Sequence, residues 1–435
     1  MTELNRRQMP RLMWDSALPW VDFQREELAN GDRLTLLPGG DESVVILYVF
    51  FPIGGDDEEA RIVANSAMTL LLRGSESQSD EKVTERLDRL GTVLNSFAQK
   101  DYVGVMLVST TEAFEESLGL LLELLTQPRY GEQSFLSWQG REVVALGVTE
   151  QTPEFAARKA LWQKMLKAPH RYRKVETQED VRALRVDTVR RYYREYVLEC
   201  CCHVMACGPK EGAWQAALRQ HFSQRRSGRA VASCRMPLVP AGRGCVINEA
   251  VQRQQASVQL ARVLPSAGHA GAEHLKILTV LLGGYMGSRL MQKLREEKGY
   301  TYGVHASVSY FLDGGVLLIA SEVGNNSVLE CVKDIKGEFS RLRDELLSAD
   351  ELERLRSYLR GQLLRQLDGV YTALGGMYRY ELDAGYGADY LARWNAALLG
   401  VTPLELRDAA REWLREESFT LSAAGDADAF SDVVW

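Results

Sequence analysis

The chain has 435 residues, of which 46% are hydrophobic and 26% charged, with a net charge of -7. That length exceeds what one hydrophobic core serves and implies two domains of about 200 residues each. Interleaved arginines and acids with a mildly acidic balance argue against a nucleic-acid surface, and no apolar run approaches the roughly 20 residues that span a bilayer.

The first twenty residues, MTELNRRQMPRLMWDSALPW, lack the continuous apolar segment and small-residue cleavage site of a secretory signal. A cytoplasmic location is therefore expected. Residues 24–54 read as two strands joined by a turn, REELANGDRLTLLPGG and ESVVILYVFFPIGG, with a strong turn signal at Asn30-Gly31 and the second strand apolar from Val44 to Phe51. A helix is expected from about Glu58 to Leu72, ending at Gly74, and a second over DEKVTERLDRLG. The strand pair TVLNSFAQKDYVGVMLVST comes next, followed by the helix EAFEESLGLLLELLTQ and a long helical region from Ser134 to about Lys167. Asp187 is placed to cap the helix TVRRYYREYV.

Seven cysteines is an odd number, and Cys200, Cys201 and Cys202 are contiguous. CCCHVMAC resembles a metal cluster at first sight. Alternate residues of a strand face opposite ways, however, and four-ligand zinc sites use separated pairs. A buried strand in which cysteine serves as a small apolar residue is the better reading. Residues 222–244, FSQRRSGRAVASCRMPLVPAGRG, carry five arginines, two prolines and no acid; they read as an exposed linker, with an anion-binding patch as the alternative.

The second half repeats the first. EHLKILTVLLGG stands after an apolar strand as ARIVANSAMTLLLRGS does earlier, and each half closes with a helix, a strand and a glycine. Ser348 with Glu351, and Thr402 with Pro403 and Glu405, have the spacing of capping boxes. The expected fold is α+β, two homologous halves with a mixed β-sheet covered by helices in each. The domains would be 1–221, the linker 222–244, and 245–435.

LLGGYMGSRLMQKLREEKGYTYGVHASVSY, from Leu281 to Tyr310, holds a glycine-rich turn and a short amphipathic helix with Leu290, Met291 and Leu294 on one side. Gly299 then leads into a strand. Arg295 falls in the last helical turn and Tyr302 in the strand, so both can project toward one groove. This stretch resembles the C-terminal half of the insulinase/pitrilysin family of zinc peptidases, particularly the smaller forms such as mitochondrial processing peptidase. The family's GG-x-x-x-S-R-L turn matches Gly283, Gly284, Ser288, Arg289 and Leu290; its R-E-x-x-G-x-x-Y matches Arg295, Glu296, Gly299 and Tyr302. The resemblance covers about residues 24–425. It implies two halves closing around an extended peptide, with Arg295 and Tyr302 assisting the reaction from the half that lacks the metal.

Active members carry H-x-x-E-H on the first helix, where the spacing sets two histidines one turn apart as zinc ligands and a glutamate as base. Here Asn65 and Thr69 stand at the histidines and Met68 at the glutamate. The later ligand glutamate falls near Gly147, with Leu146 as the next candidate. The resemblance thus implies a chain without its own zinc and without activity alone. Metalloendopeptidase activity would arise only with a homologous, H-x-x-E-H-bearing partner that supplies the zinc. A peptide is the implied substrate, with no nucleic acid and no membrane. The alternatives are a proteolytically inert scaffold or peptide-binding homologue, and an enzyme with a relocated metal. For the last, His269, Glu273 and His274 are the candidates, but residues five apart on a helix are turned about 140° past a full turn and do not share a face. His170, His203, His221 and His305 are isolated, and each reads as structural.

Overall fold

Apolar runs of the two halves form two sheets with the same internal order. The structure, a computed structural model, describes residues 18, 23–55, 58–231, 237–241, 244–252, 254–381 and 389–435. The first sheet contains β1 (Gln24–Glu27), β2 (Arg33–Gly40), β3 (Val44–Pro52), β4 (Val93–Ala98), β5 (Tyr102–Thr110) and β6 (His203–Pro209), in the order β1-β2-β6-β3-β5-β4. The second contains β7 (Gly244–Glu249), β8 (Ala256–Leu264), β9 (Thr301–Phe311), β10 (Gly314–Val323) and β11 (Thr420–Gly425), in the order β7-β11-β8-β10-β9. β2 runs parallel to β6, and β7 to β11, while the other pairs are antiparallel. Apart from the extra edge strand β1, the two sheets superimpose strand for strand in topology. The mixed α+β architecture of two related halves is as expected from the sequence.

Why β3 is apolar on both faces becomes clear from its neighbours. Val45, Leu47, Val49 and Phe51 pack with the helices Ala60–Leu71 and Phe114–Thr126 in the N-terminal core. Phe50 on the opposite face meets Val370, Ala373 and Leu374 of the helix Gly369–Glu381, which belongs by sequence to the other half. The exchange is mutual. The helix Pro153–Met165 lies on the second sheet, with Leu161 and Met165 against Ala261 and Val316. Packing therefore crosses the sequence division into 1–221 and 245–435: each half lends one helix to the other.

A buried ionic network joins the halves. Arg171 donates to Asp101 at 2.7 Å and to Asp313 at 3.0 Å, Tyr172 donates its hydroxyl proton to Asp101, and the Leu312 N–H donates to Asp101 Oδ2 at 2.9 Å. Asp101 turns between β4 and β5, Asp313 between β9 and β10, so one guanidinium holds a hairpin of each sheet.

Several local expectations are revised. Residues 24–52 form three strands rather than two, because the Asn30-Gly31 turn splits the first run; Gly31 has φ +83°. Asp187 does not cap its helix. Arg185 takes the N-cap of Val186–Tyr196, and Asp187 pairs with Arg190 at 3.0 Å. Thr402 and Glu405 make a complete capping box, whereas at Ser348 the Glu351 side chain is diverted to Arg289 and only the serine half remains. The linker is not exposed throughout: Arg225 is buried and grips Asp32 with Nη2 at 2.6 Å and Nε at 3.0 Å. Cys202 and Cys207 are buried and free, flanking or within β6. Cys234 lies outside the described residues. No described helix is long and apolar enough to cross a membrane.

Candidate functional site

The chain after β8 opens instead of running as one helix. Ala272–Thr279 is regular, then Val280–Gly284 widens into a π-type turn. The close approach of this turn to β9 requires glycine: a Cβ on Gly283 would lie 2.8 Å from the Ala306 Cβ and 3.1 Å from its nitrogen. Tyr285 stacks on Tyr358 at 4.8 Å between centroids. Arg289 binds Glu351 through two N–H···O bonds of 2.9 and 3.0 Å, a fork that fixes the start of the next helix. Leu290, Met291 and Leu294 are buried in the C-terminal core, which turns the opposite side of Met291–Glu297, with Arg295, outward. Gly299, at φ +66°, ends this helix in the left-handed conformation and starts β9.

Arg295 and Tyr302 line the same pocket, about 850 Å3 in volume. Tyr302 is 88% exposed. The Arg295 Nη1 donates to Met286 Sδ at 3.6 Å and Nε lies 3.6 Å from Glu296. One wall comes from the first turns of the exchanged helix, through Glu154 and Arg158; the floor is the inner face of β8 and β10, with Gln259, Leu318, Ala320 and Glu322. Burial, reinforced by the nearby Glu154, pushes the Glu322 carboxyl up to about 7. Sequence reasoning had missed Glu154, Arg158, Gln259 and Glu322. The signal for Glu322 was present: an acid ending the apolar run of β10 in alternation with Leu318 and Ala320. Nothing local could bring Glu154 here, since it arrives from the other half.

The residues that the resemblance sets at the family's metal site lie elsewhere, on the helices Ala60–Leu71 and Glu132–Thr149. Asn65 and Thr69 are half-buried one turn apart on Ala60–Leu71, and the Thr69 hydroxyl lies 3.2 Å from that of Ser96. Met68 is fully buried in the N-terminal core. Gly147 abuts the Gln178 amide, within 3.1 Å of where a Cβ would stand, and Leu146 packs on the N-terminal core. An amide, a hydroxyl and a core-sealed thioether do not fit zinc, which takes imidazole, thiolate and carboxylate. The face just before Asn65 is occupied by an ion pair, Arg61 with Glu176 at 3.0 Å. Lys100 lies over the Trp162 ring at 4.2 Å; burial, reinforced by Arg61, lowers the pKa of its amine to about 7, with Glu176 and Asp101 opposing. His269 and Glu273 are engaged separately, His269 with the Tyr310 hydroxyl at 2.9 Å and Glu273 with Arg393 at 3.1 Å. His203 is buried against Thr35 at 2.8 Å, and burial pushes its pKa down to about 3.

Two mixed sheets of matching topology, with an arginine and a tyrosine lining a pocket on the second, make a two-half α+β fold. Residues 183–359 match the family described as the Peptidase M16 inactive domain. The chain is 24% identical over 405 residues to an uncharacterised zinc protease of Streptomyces coelicolor, covering 88% of this chain and 87% of that protein. It is 21% identical over 367 residues to the uncharacterised zinc protease YmxG of Bacillus subtilis, covering 83% and 89%. Among solved structures, a protease from Helicobacter pylori superimposes with a TM-score of 0.83 at 15% identity, covering 93% of this chain and 99% of that one. A peptidase M16 inactive domain from Pseudomonas fluorescens gives 0.81 at 17%, covering 93% and 98%. The chain thus carries a stretch that matches the Peptidase M16 inactive domain and is similar over most of its length to zinc-protease relatives, with the same fold as M16 peptidase structures.

Proposed function

We propose that this chain is the non-catalytic subunit of a heterodimeric zinc metallopeptidase, acting in the cytoplasm. Its halves, 1–221 and 245–435 with 222–244 between them, form part of a peptide chamber, and the partner subunit carries H-x-x-E-H and the zinc. The observation that carries this reading is that Arg295 and Tyr302 share one open pocket, while Met68, at the position of the base, is sealed in the core. Attack on a peptide carbonyl concentrates negative charge on its oxygen. A guanidinium and a phenol aimed at that position stabilise the transition state more than the ground state.

The test is a purified complex with an H-x-x-E-H-bearing partner. Tyr302→Phe or Arg295→Ala is expected to lower turnover by about 10²–10³, with assembly and zinc content unchanged. Unchanged turnover in both variants would decide for the inert scaffold. The isolated chain is expected to hold no zinc, and elemental analysis finding about one tightly held zinc per chain would overturn that part.

A further inference from the structure

The turn that follows the widened helix presents a sulfur to solvent beside Arg295. The Ser288 N–H donates to the Tyr285 carbonyl at 3.0 Å, which closes a tight turn with Met286 and Gly287 at its tip. Tyr285 is anchored by its stack on Tyr358, and a Cβ on Gly287 would stand 2.7 Å from the Tyr285 ring. The Met286 carbonyl accepts from Gln292 Nε2 at 3.2 Å. With the main chain held on both sides, the Met286 side chain lines the pocket and is 58% exposed. No other methionine among the described residues is exposed. Met291, the second methionine lining the pocket, is buried, and its Sδ accepts the Val304 N–H at 3.4 Å.

Met286 Sδ is also an anchor for Arg295. Nη1 of the guanidinium donates to it at 3.6 Å, and Nε lies 3.6 Å from the exposed Glu296 carboxylate. A thioether is a weak acceptor and an exposed ion pair is screened by solvent, so neither contact pins the group. An oxygen on the sulfur changes that balance. A sulfoxide is polar where the thioether was apolar, and arginine donates to oxygen in a short, charge-assisted bond. We propose that Met286 is a reversible oxidation site whose sulfoxide oxygen captures Arg295. The oxidant is a hydroperoxide small enough to enter the open pocket. The sulfur lone pair attacks the outer peroxide oxygen, the S–O bond forms as the O–O bond breaks, and the departing oxygen takes a proton and leaves as water or an alcohol. The sulfur loses two electrons and the peroxide gains them. Reduction by two thiols returns the thioether and yields a disulfide and water.

Met286 is not among the buried residues of the C-terminal core, so its oxidation adds a polar atom at a solvent-facing tip and leaves the packing of the half unchanged. Met291, whose sulfur is covered and already engaged, serves as the internal reference for access. The functional consequence rests on the role proposed above for Arg295: once the sulfoxide holds the guanidinium, a complex containing this chain turns over more slowly until the sulfur is reduced.

The experiment exposes the purified full chain to hydrogen peroxide, follows each methionine by peptide mass spectrometry, and then labels arginines with phenylglyoxal. Met286 is expected to oxidise at least about ten-fold faster than Met291. In the oxidised chain the labelling rate of Arg295, normalised to that of the exposed Arg191, is expected to fall about five-fold, and methionine sulfoxide reductases with dithiothreitol should restore it. In Met286→Leu, which has an apolar side chain of similar size and no sulfur, peroxide should leave Arg295 labelling unchanged. Oxidation of Met286 no faster than that of Met291, equal Arg295 labelling before and after oxidation, or a slowing that persists in Met286→Leu would overturn the proposal. So would a large drop in Tm of the oxidised chain, since the change at Arg295 would then report unfolding rather than capture. Because no partner and no turnover enter the measurement, a failed role for Arg295 and Tyr302 in trans leaves oxidation and capture intact, and the reverse also holds.

Discussion

The helix after β3 and the segment after β8 occupy equivalent places in two topologically matching halves, yet one is closed and the other open. Ala60–Leu71 is a continuous helix with nine of its twelve residues buried. At the positions that the resemblance assigns to ligands and base, it carries a core methionine and two half-buried polar side chains. The equivalent segment in the second half is interrupted by a widened turn at Gly283 and Gly284, and the break exposes Arg295 and Tyr302 around a pocket. The same architecture supports packing where its helix is regular and a site where glycines let the helix open. What separates the closed half from the open half here is one turn of backbone, not a different fold.

That contrast can be broken most severely at the bond holding the halves together. Arg171→Leu removes the guanidinium that bridges the buried Asp101 and Asp313 side chains, and a loss of about 3–5 kcal/mol in denaturant unfolding is expected. A loss under about 1 kcal/mol would show that the network does not tie the halves. The closed helix can be challenged next. Met68→Glu, which restores the chemical type of the family's base, is expected to destabilise by about 3 kcal/mol without conferring peptidase activity, because it places a carboxyl in the sealed core. Retained stability, measured by thermal melting, would mean that this helix face is open after all.

Acid titration separates the halves further. His203 is neutral in the first sheet with a folded pKa near 3, below its unfolded value of about 6.5. The unfolded chain therefore takes the proton first, and stability is lost as pH falls below 6.5. Between about pH 6.5 and 5 the loss is expected to be about 1–2 kcal/mol, and His203→Gln should flatten that slope. For Glu322 the sign is opposite. Its folded pKa lies above the unfolded one, so stability declines as pH rises from the unfolded value toward 7. Glu322→Gln is expected to raise Tm by about 2–4 °C at pH 8 and by little at pH 4. An equal rise at both would remove ionisation as the cause.

The elements themselves were legible because their signals are local. Thr402-Pro403-Leu404-Glu405 caps its helix as its spacing predicts, and Leu290, Met291 and Leu294 bury the stripe their periodicity marks. The readings that changed were those in which a side chain chose a charged partner over the one its spacing suggested. Glu351 gave up its capping role for the Arg289 fork, Asp187 turned to Arg190, and Arg225 left an apparently exposed linker to reach Asp32. Each of these bonds joins a charge to a charge, which outweighs a neutral backbone N–H as partner.

By itself the sequence determined that the chain forms two related α+β halves, that the first lacks zinc-ligating side chains at Asn65, Met68 and Thr69, and that Arg295 and Tyr302 stand one helix end and one strand apart. Periodicity, caps and donor chemistry are carried by neighbours along the chain, so they can be read there. Only the tertiary structure decided that the helices Pro153–Met165 and Gly369–Glu381 change places, that Arg171 joins the sheets, and that Glu154 and Glu322 meet in one pocket. Those contacts link residues 70 or more positions apart, and burial, which gives them their energy, does not exist until both sheets are assembled.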